Sequence, residues 1–163
     1  MPKSVSLPAG VILVMAASPS CVVDKGENMT TYNKPLPLME GLTKAFYDYC
    51  AQGELRFQRC TDCGSWRHVP REICAECSSF NWEWAQSSGQ GTVYTWTVVE
   101  RALHPAFGQS TPYAPVVVEL EGGVRLLTQL TDVPPSELKI GMPVTVDFTA
   151  VTPEVTLPYF KRA

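Results

Sequence analysis

At 163 residues, with 45% apolar side chains, the chain has room for one ordinary domain and a small appendage. A net charge of −3 and an isoelectric point near 5.4 argue against a nonspecific DNA or RNA binder, which needs a basic footprint. No apolar run reaches the roughly 18 residues that cross a bilayer, so no membrane span is expected.

The N-terminus has two readings. Lys3, the apolar run from Val11 to Ala17 and the Ser-Pro-Ser that precedes Cys21 have the outline of a secretory or lipoprotein leader. Against this, the positive region is a single lysine, and Pro8 and Gly10 interrupt the approach. Met29 opens a second plausible start, and residues 1–28 are expected to be a dispensable extension. Residues 29–54 read as a helical lead-in. Pro35 and Pro37 hold it extended at first. Leu42, Ala45, Phe46 and Tyr49 then recur at three- and four-residue spacing, which predicts a helix over about 41–51 that stops at Gly53. Cys50 lies beside its apolar face and reads as a buried thiol, because no histidine is near it in sequence.

Residues 55–86 hold the strongest chemical signal. Cys60-Thr-Asp-Cys63 and Cys74-Ala-Glu-Cys77 are two Cys-x-x-Cys knuckles separated by Gly64 to Ile73. Two intervening residues let both thiolates of a knuckle meet one ion, and two knuckles complete a tetrahedral set of four sulfurs. Gly64 relieves crowding where the first knuckle turns. Trp66, Val69 and Ile73 are almost the only apolar groups inside, so zinc, which supplies about 10–16 kcal/mol in such sites, is expected to hold the segment as a zinc ribbon. Four cysteines leave no open position for a catalytic water, which makes the expected zinc structural. Thiolates available for a metal suit a reducing cytosol, and a cytoplasmic location is expected. Leu55 to Gln58 and Phe80, Trp82, Trp84 alternate as strands on either side of the knuckles.

Residues 87–163 read as β. Thr92 to Val99, Tyr113 to Glu121, Val124 to Leu130, Val144 to Phe148 and Val155 to Phe160 are five candidate strands. His104 to Pro112 is a turn-rich loop, Glu121-Gly122-Gly123 a tight hairpin, and Pro134 to Leu138 a short helical turn. So few strands need closure to hide their edges, which favours a small barrel of OB type over a plain sandwich.

KPLP…LTKAFYD, LRFQRCTDCGSWRHVPREICAEC, GQGTVYTWTVVERALHPAF, PYAPVVVELEGG and KIGMPVTVDF…TLPYFKRA occur in this order. The pattern resembles the zinc-ribbon/OB-fold acyl-CoA-associated family, formerly domain of unknown function thirty-five, from about Tyr32 to Ala163. The resemblance implies a mainly β fold with an N-terminal short helix, a rubredoxin-like zinc ribbon and a C-terminal five-stranded OB-fold barrel. It implies a small subunit beside a thiolase-superfamily enzyme, or an aldolase working with one, on acyl-CoA thioesters. It further implies that the partner supplies the nucleophilic cysteine, while the ribbon protein bridges subunits and helps form an acyl-CoA channel. The metal ligands carry over to Cys60, Cys63, Cys74 and Cys77. No catalytic residue carries over.

The residues themselves agree that chemistry is not encoded in an obvious way. His68 and His104 come without a serine elbow, phosphate loop or carboxylate pair. Arg56, Arg59, Arg67 and Arg71 cluster around the knuckles and suit coenzyme A phosphates or partner carboxylates, or else form a solvated face. His104 and Phe107 on the loop are candidate contacts to a ligand or partner, or else a capped turn. Three functions are therefore carried forward: a noncatalytic subunit of an acyl-CoA enzyme complex, a single-stranded nucleic-acid binder using aromatic stacking, and an acyltransferase acting through Cys50.

Overall fold

The structure, a computed structural model, describes residues 32–102 and 104–163, so the expectation for residues 1–28 lies outside the described residues. The fold is mainly β with one short helix, α1 (Gly41–Ala51). Phe46 and Cys50 form its buried face, and Gly53 closes it: the Glu54 N–H reaches back to the Tyr49 carbonyl at 3.0 Å, a glycine-terminated helix end. After it come β1 (Arg56–Cys60), β2 (Trp66–Arg67) and β3 (Trp82–Gln86), an antiparallel sheet in the order β2-β1-β3. Both knuckles hang from this sheet.

β4 (Gln90–Trp96), β5 (Val116–Leu120), β6 (Arg125–Thr128), β7 (Pro143–Ala150) and β8 (Thr156–Arg162) form a curled antiparallel sheet in the order β6-β5-β4-β7-β8. Alternation selects its inner face. Val116, Val118 and Leu120 are buried while Val117 and Glu119 between them are not, so the apolar run at 116–118 splits between the two faces. Val93, Val144 and Phe160 meet this row in the core. The sheet curls into a half-barrel. Its two end strands meet at a single parallel bridge, Leu130 to Phe160, made by Phe160 N–H to the Gln129 carbonyl at 3.0 Å and Thr131 N–H to the Phe160 carbonyl at 2.9 Å. Among the described residues no helix is long and apolar enough to cross a membrane.

Ribbon and barrel share one seam. Phe57 of β1, completely buried, stacks on Phe46 with ring centres 6.2 Å apart, and α1 packs on both β1 and β8. Trp66 lies against the hairpin between β5 and β6. A Cβ placed on Gly122, which sits at φ +69°, would come within 2.5 Å of the Trp66 indole. Glu121 from the same hairpin accepts the Ser88 N–H at 2.5 Å. Trp82 and Trp84 meet edge to face at 5.8 Å, with Tyr49 of α1 against Trp84 at 5.5 Å. Trp96 packs beside the barrel core.

Two outcomes are expected from the seam. Gly122→Ala combines left-handed strain with a clash on Trp66 and lowers unfolding free energy by about 2–4 kcal/mol, measured by urea denaturation; a loss below about 0.5 kcal/mol would contradict the contact. His68, packed beside Phe46 and Phe57 with ring centres at 4.9 and 5.5 Å, is pushed down to about 4 by burial. The unfolded chain takes this proton first, near the ordinary pH of about 6.5. Stability supplied by neutral His68 is therefore complete above that pH and lost as pH falls toward 4, by up to about 3 kcal/mol. A histidine titration followed by NMR checks the midpoint; one near 6.5 for His68 would contradict the burial.

Candidate metal centre

The two knuckles are built alike. Cys60 N–H donates to the Ser65 carbonyl and Gly64 N–H to the Cys60 carbonyl, both at 2.9 Å. In the second knuckle Cys74 N–H donates to the Ser79 carbonyl and Ser78 N–H to the Cys74 carbonyl, again at 2.9 Å. Each pair of bonds closes the loop around two sulfurs. Each also forces the residue after the second cysteine into the left-handed region, Gly64 at φ +75° and Ser78 at φ +61°. Glycine accepts that conformation without strain; serine does so at a cost of about 1–2 kcal/mol.

The sulfurs converge. Cys60 Sγ stands 3.6 Å from Cys77 Sγ and Cys63 Sγ 3.7 Å from Cys74 Sγ, and all four lie within 4.8 Å of one another. A disulfide needs about 2.05 Å. A tetrahedron with zinc–sulfur bonds of about 2.3 Å has edges of about 3.8 Å. The set therefore has the dimensions of a four-sulfur metal site. Among the described residues it is the one group of side chains placed to hold a metal ion. Cys60 and Cys74 are buried, Cys63 and Cys77 face outward.

The local electrostatics ask for a cation. The Ser65 hydroxyl, then the Cys77 and Glu76 N–H groups, hold Cys74 down to about 6. The Ser79 N–H favours a thiolate at Cys77 too, but the Cys63 sulfur, desolvation and the other two sulfurs push Cys77 up to about 12. Four thiolates this close repel one another, and a divalent cation at their centre removes the conflict.

The other expected site residues are dispersed. Arg67 is drawn inward: its Nε donates to Gln58 Oε1 at 2.9 Å and its NH2 to the Arg71 carbonyl at 3.2 Å. Arg71 donates its backbone N–H to the same Gln58 oxygen at 2.7 Å, while its side chain is exposed. Arg56 pairs with Glu54 at 2.6 Å and lies 5.0 Å from the Tyr49 ring. Arg59 is exposed, 5.9 Å from the Trp66 ring. His104 caps the 3-10 helix Pro105–Ser110, its Nδ1 accepting the Ala106 N–H at 3.1 Å. Phe107 stacks on Tyr113 at 5.5 Å under the Lys34 ammonium. Cys50 is 1% exposed, and burial pushes its thiol up to about 12, a setting that keeps it protonated and out of a thioester's reach.

Composition alone did not point to Gln58, which is fully buried and organises both Arg67 and Arg71, or to Ser65, whose hydroxyl touches two of the sulfurs. The repeat of two cysteines followed by a small residue and serine, CTDCGS and CAECSS, carries the signal for Ser65.

Fold and site together define a zinc-ribbon/OB-fold protein. Residues 48–83 match the family described as "ChsH2, rubredoxin-like zinc ribbon domain" and residues 84–149 the one described as "ChsH2, C-terminal OB-fold domain". A "DUF35 domain-containing scaffold protein" of Methanocaldococcus jannaschii is 36% identical over 104 residues, covering 63% of this chain and 70% of its own. The chain belongs to this DUF35 family. A "Probable enoyl-CoA hydratase alpha subunit" of Thermomonospora curvata is 38% identical over 130 residues, or 80% of this chain. The present chain spans 40% of that subunit's length. A chain of the solved structure "Ltp2-ChsH2(DUF35) aldolase" superposes with a TM-score of 0.70 at 37% identity, covering 78% of this chain and 98% of its own.

Replacing buried Cys74 by serine is expected to abolish metal binding, from one ion per chain to under about 0.1, and to unfold the ribbon, given the roughly 10–16 kcal/mol such a site contributes. Metal analysis and amide exchange at Gln58 and Trp84 measure both effects. Retained exchange protection in a metal-free variant would contradict the role of the ion.

Proposed function

We propose that the chain is a noncatalytic, zinc-holding accessory subunit that assembles with a thiolase-superfamily enzyme and helps to bind or channel its acyl-CoA. The observation that carries this is the likeness to a chain of the Ltp2-ChsH2(DUF35) aldolase over almost that chain's full length. A hydratase subunit among its relatives is named for work on a coenzyme A thioester. The metal is zinc and its role architectural: Cys60, Cys63, Cys74 and Cys77 fill a tetrahedral shell, so no position remains for substrate or a reacting water. When bound, zinc supplies cross-linking between the knuckles.

The chain's own side chains fit a supporting role. Cys50 is buried and protonated, His68 packs against two phenylalanines, and His104 is spent on a cap. The reacting cysteine comes from the partner. The exposed guanidiniums of Arg59 and Arg71 provide bidentate donors for coenzyme A phosphates or for carboxylates of that partner. The loop bearing His104 and Phe107 supplies a second contact. The complex works in the cytoplasm, where the thiolates remain reduced.

Purification of the tagged chain from its native host is expected to recover a thiolase-superfamily polypeptide in stoichiometric amount, with thioester turnover by the complex and none by the chain alone. Arg59→Ala with Arg71→Ala is expected to weaken acyl-CoA retention or partner recovery at least about tenfold. Turnover by the isolated chain would overturn the proposal. So would salt-sensitive RNA in place of an enzyme partner, which is the signature of a nucleic-acid binder.

A further inference from the structure

The two knuckles share a backbone plan but not a hydroxyl plan. Ser65 and Ser79 occupy the same place in each, two residues after the second cysteine, and each accepts the N–H of its knuckle's first cysteine on its carbonyl oxygen. The Ser65 hydroxyl lies between sulfurs of both knuckles, 3.2 Å from Cys63 Sγ and 3.3 Å from Cys74 Sγ. The Ser79 hydroxyl is turned away. It donates to the Asp62 carboxylate, itself approached by the Asn81 amide at 3.2 Å, and accepts the Asn81 N–H at 2.9 Å. Asp62 thus takes the proton that symmetry would have directed at Cys60 and Cys77. A carboxylate is a far better acceptor than a sulfur, which explains the direction chosen.

A four-sulfur zinc site carries two net negative charges, spread over the sulfurs. A hydroxyl proton shared between two of them withdraws charge from those two and makes them poorer nucleophiles. Exposure divides the ligands a second way: Cys60 and Cys74 are buried, Cys63 and Cys77 are not. Of the two outward sulfurs, Cys63 therefore has the serine hydroxyl and Cys77 does not.

We propose that Ser65 is a positioning residue of the metal site, shielding Cys63 and Cys74, and that Cys77 is the ligand at which the site opens to electrophiles. This rests on zinc being the bound ion, and that premise is checked separately by metal analysis of the purified chain. The partner enzyme plays no part in it.

The test uses the full zinc-loaded chain and limiting N-ethylmaleimide, whose double bond takes up one cysteine sulfur and one proton, with no leaving group. Peptide mass mapping reads which cysteine reacts, and a chromophoric chelator reads zinc release. In the unaltered chain Cys77 is expected to be labelled before Cys63 by at least about fivefold, with zinc release following Cys77 labelling. Ser65→Ala, which keeps the backbone carbonyl, is expected to raise Cys63 labelling to the level of Cys77 and to speed zinc release about tenfold. Ser65→Thr, which keeps the hydroxyl, should restore the original order. Cys63 reacting first in the unaltered chain would overturn the proposal even if Ser65→Ala did not fold. Unchanged labelling and release in Ser65→Ala would overturn it equally. Zinc absent from the purified chain would instead refute the premise.

Discussion

Four sulfurs gathered within 4.8 Å are what the ribbon has in place of a core. The apolar residues between its knuckles do not turn toward one another. Val69 and Ile73 are 56% and 47% exposed, and Trp66 leaves the ribbon to lie on the barrel hairpin. The groups buried at its centre are Cys60, Cys74 and a glutamine. Hydrophobic burial cannot hold such a segment, and a coordinated ion can, because its bonds need no large surface to be removed from water. Gln58 completes the arrangement by tying both Arg67 and the Arg71 backbone to β1, so the long loop between the knuckles is anchored at its base as well as at its sulfurs.

The ribbon is fastened to the barrel by conventional packing. Phe57 on β1 faces Phe46 on α1, with His68 packed beside both rings, and the same helix lies on β8. Trp66 against Gly122 makes the second fastening, which depends on a hairpin with no side chain at its tip. The half-barrel needs this support. Its end strands meet at one bridge, and the helix and ribbon cover part of what a complete ladder would have sealed. Ribbon, helix and sheet are mutually dependent, and a loss at the sulfurs is transmitted through β1 to the seam.

The module's most nucleophilic atoms are placed with little freedom: four sulfurs converge on one metal-binding point, Cys50 lies in the core and His104 caps a turn. In a relative named as a hydratase subunit, the matching stretch is under half of a longer chain. The uneven treatment of the two knuckles by Ser65 and Ser79 shows that even a closed metal site has a stronger and a weaker side.

The four-cysteine cluster was legible in the sequence because thiol spacing is a local property: two residues between cysteines set the turn whatever surrounds it. Helix α1 matched its expected bounds for the same reason, since apolar periodicity and Gly53 act within one segment. Five barrel strands were also foreseeable from branched residues and turns, although the first runs from Gln90 to Trp96 and not from Thr92 to Val99. Only the tertiary structure decided where Trp66, Arg67 and Gln58 go, and that Trp84 meets Tyr49 of α1 while Trp66 meets the hairpin. It also decided that Ser65 and Ser79, equivalent along the chain, donate to different acceptors. A side chain's partner depends on what distant segments bring within about 3 Å of it, and the order of residues along the chain does not contain that distance.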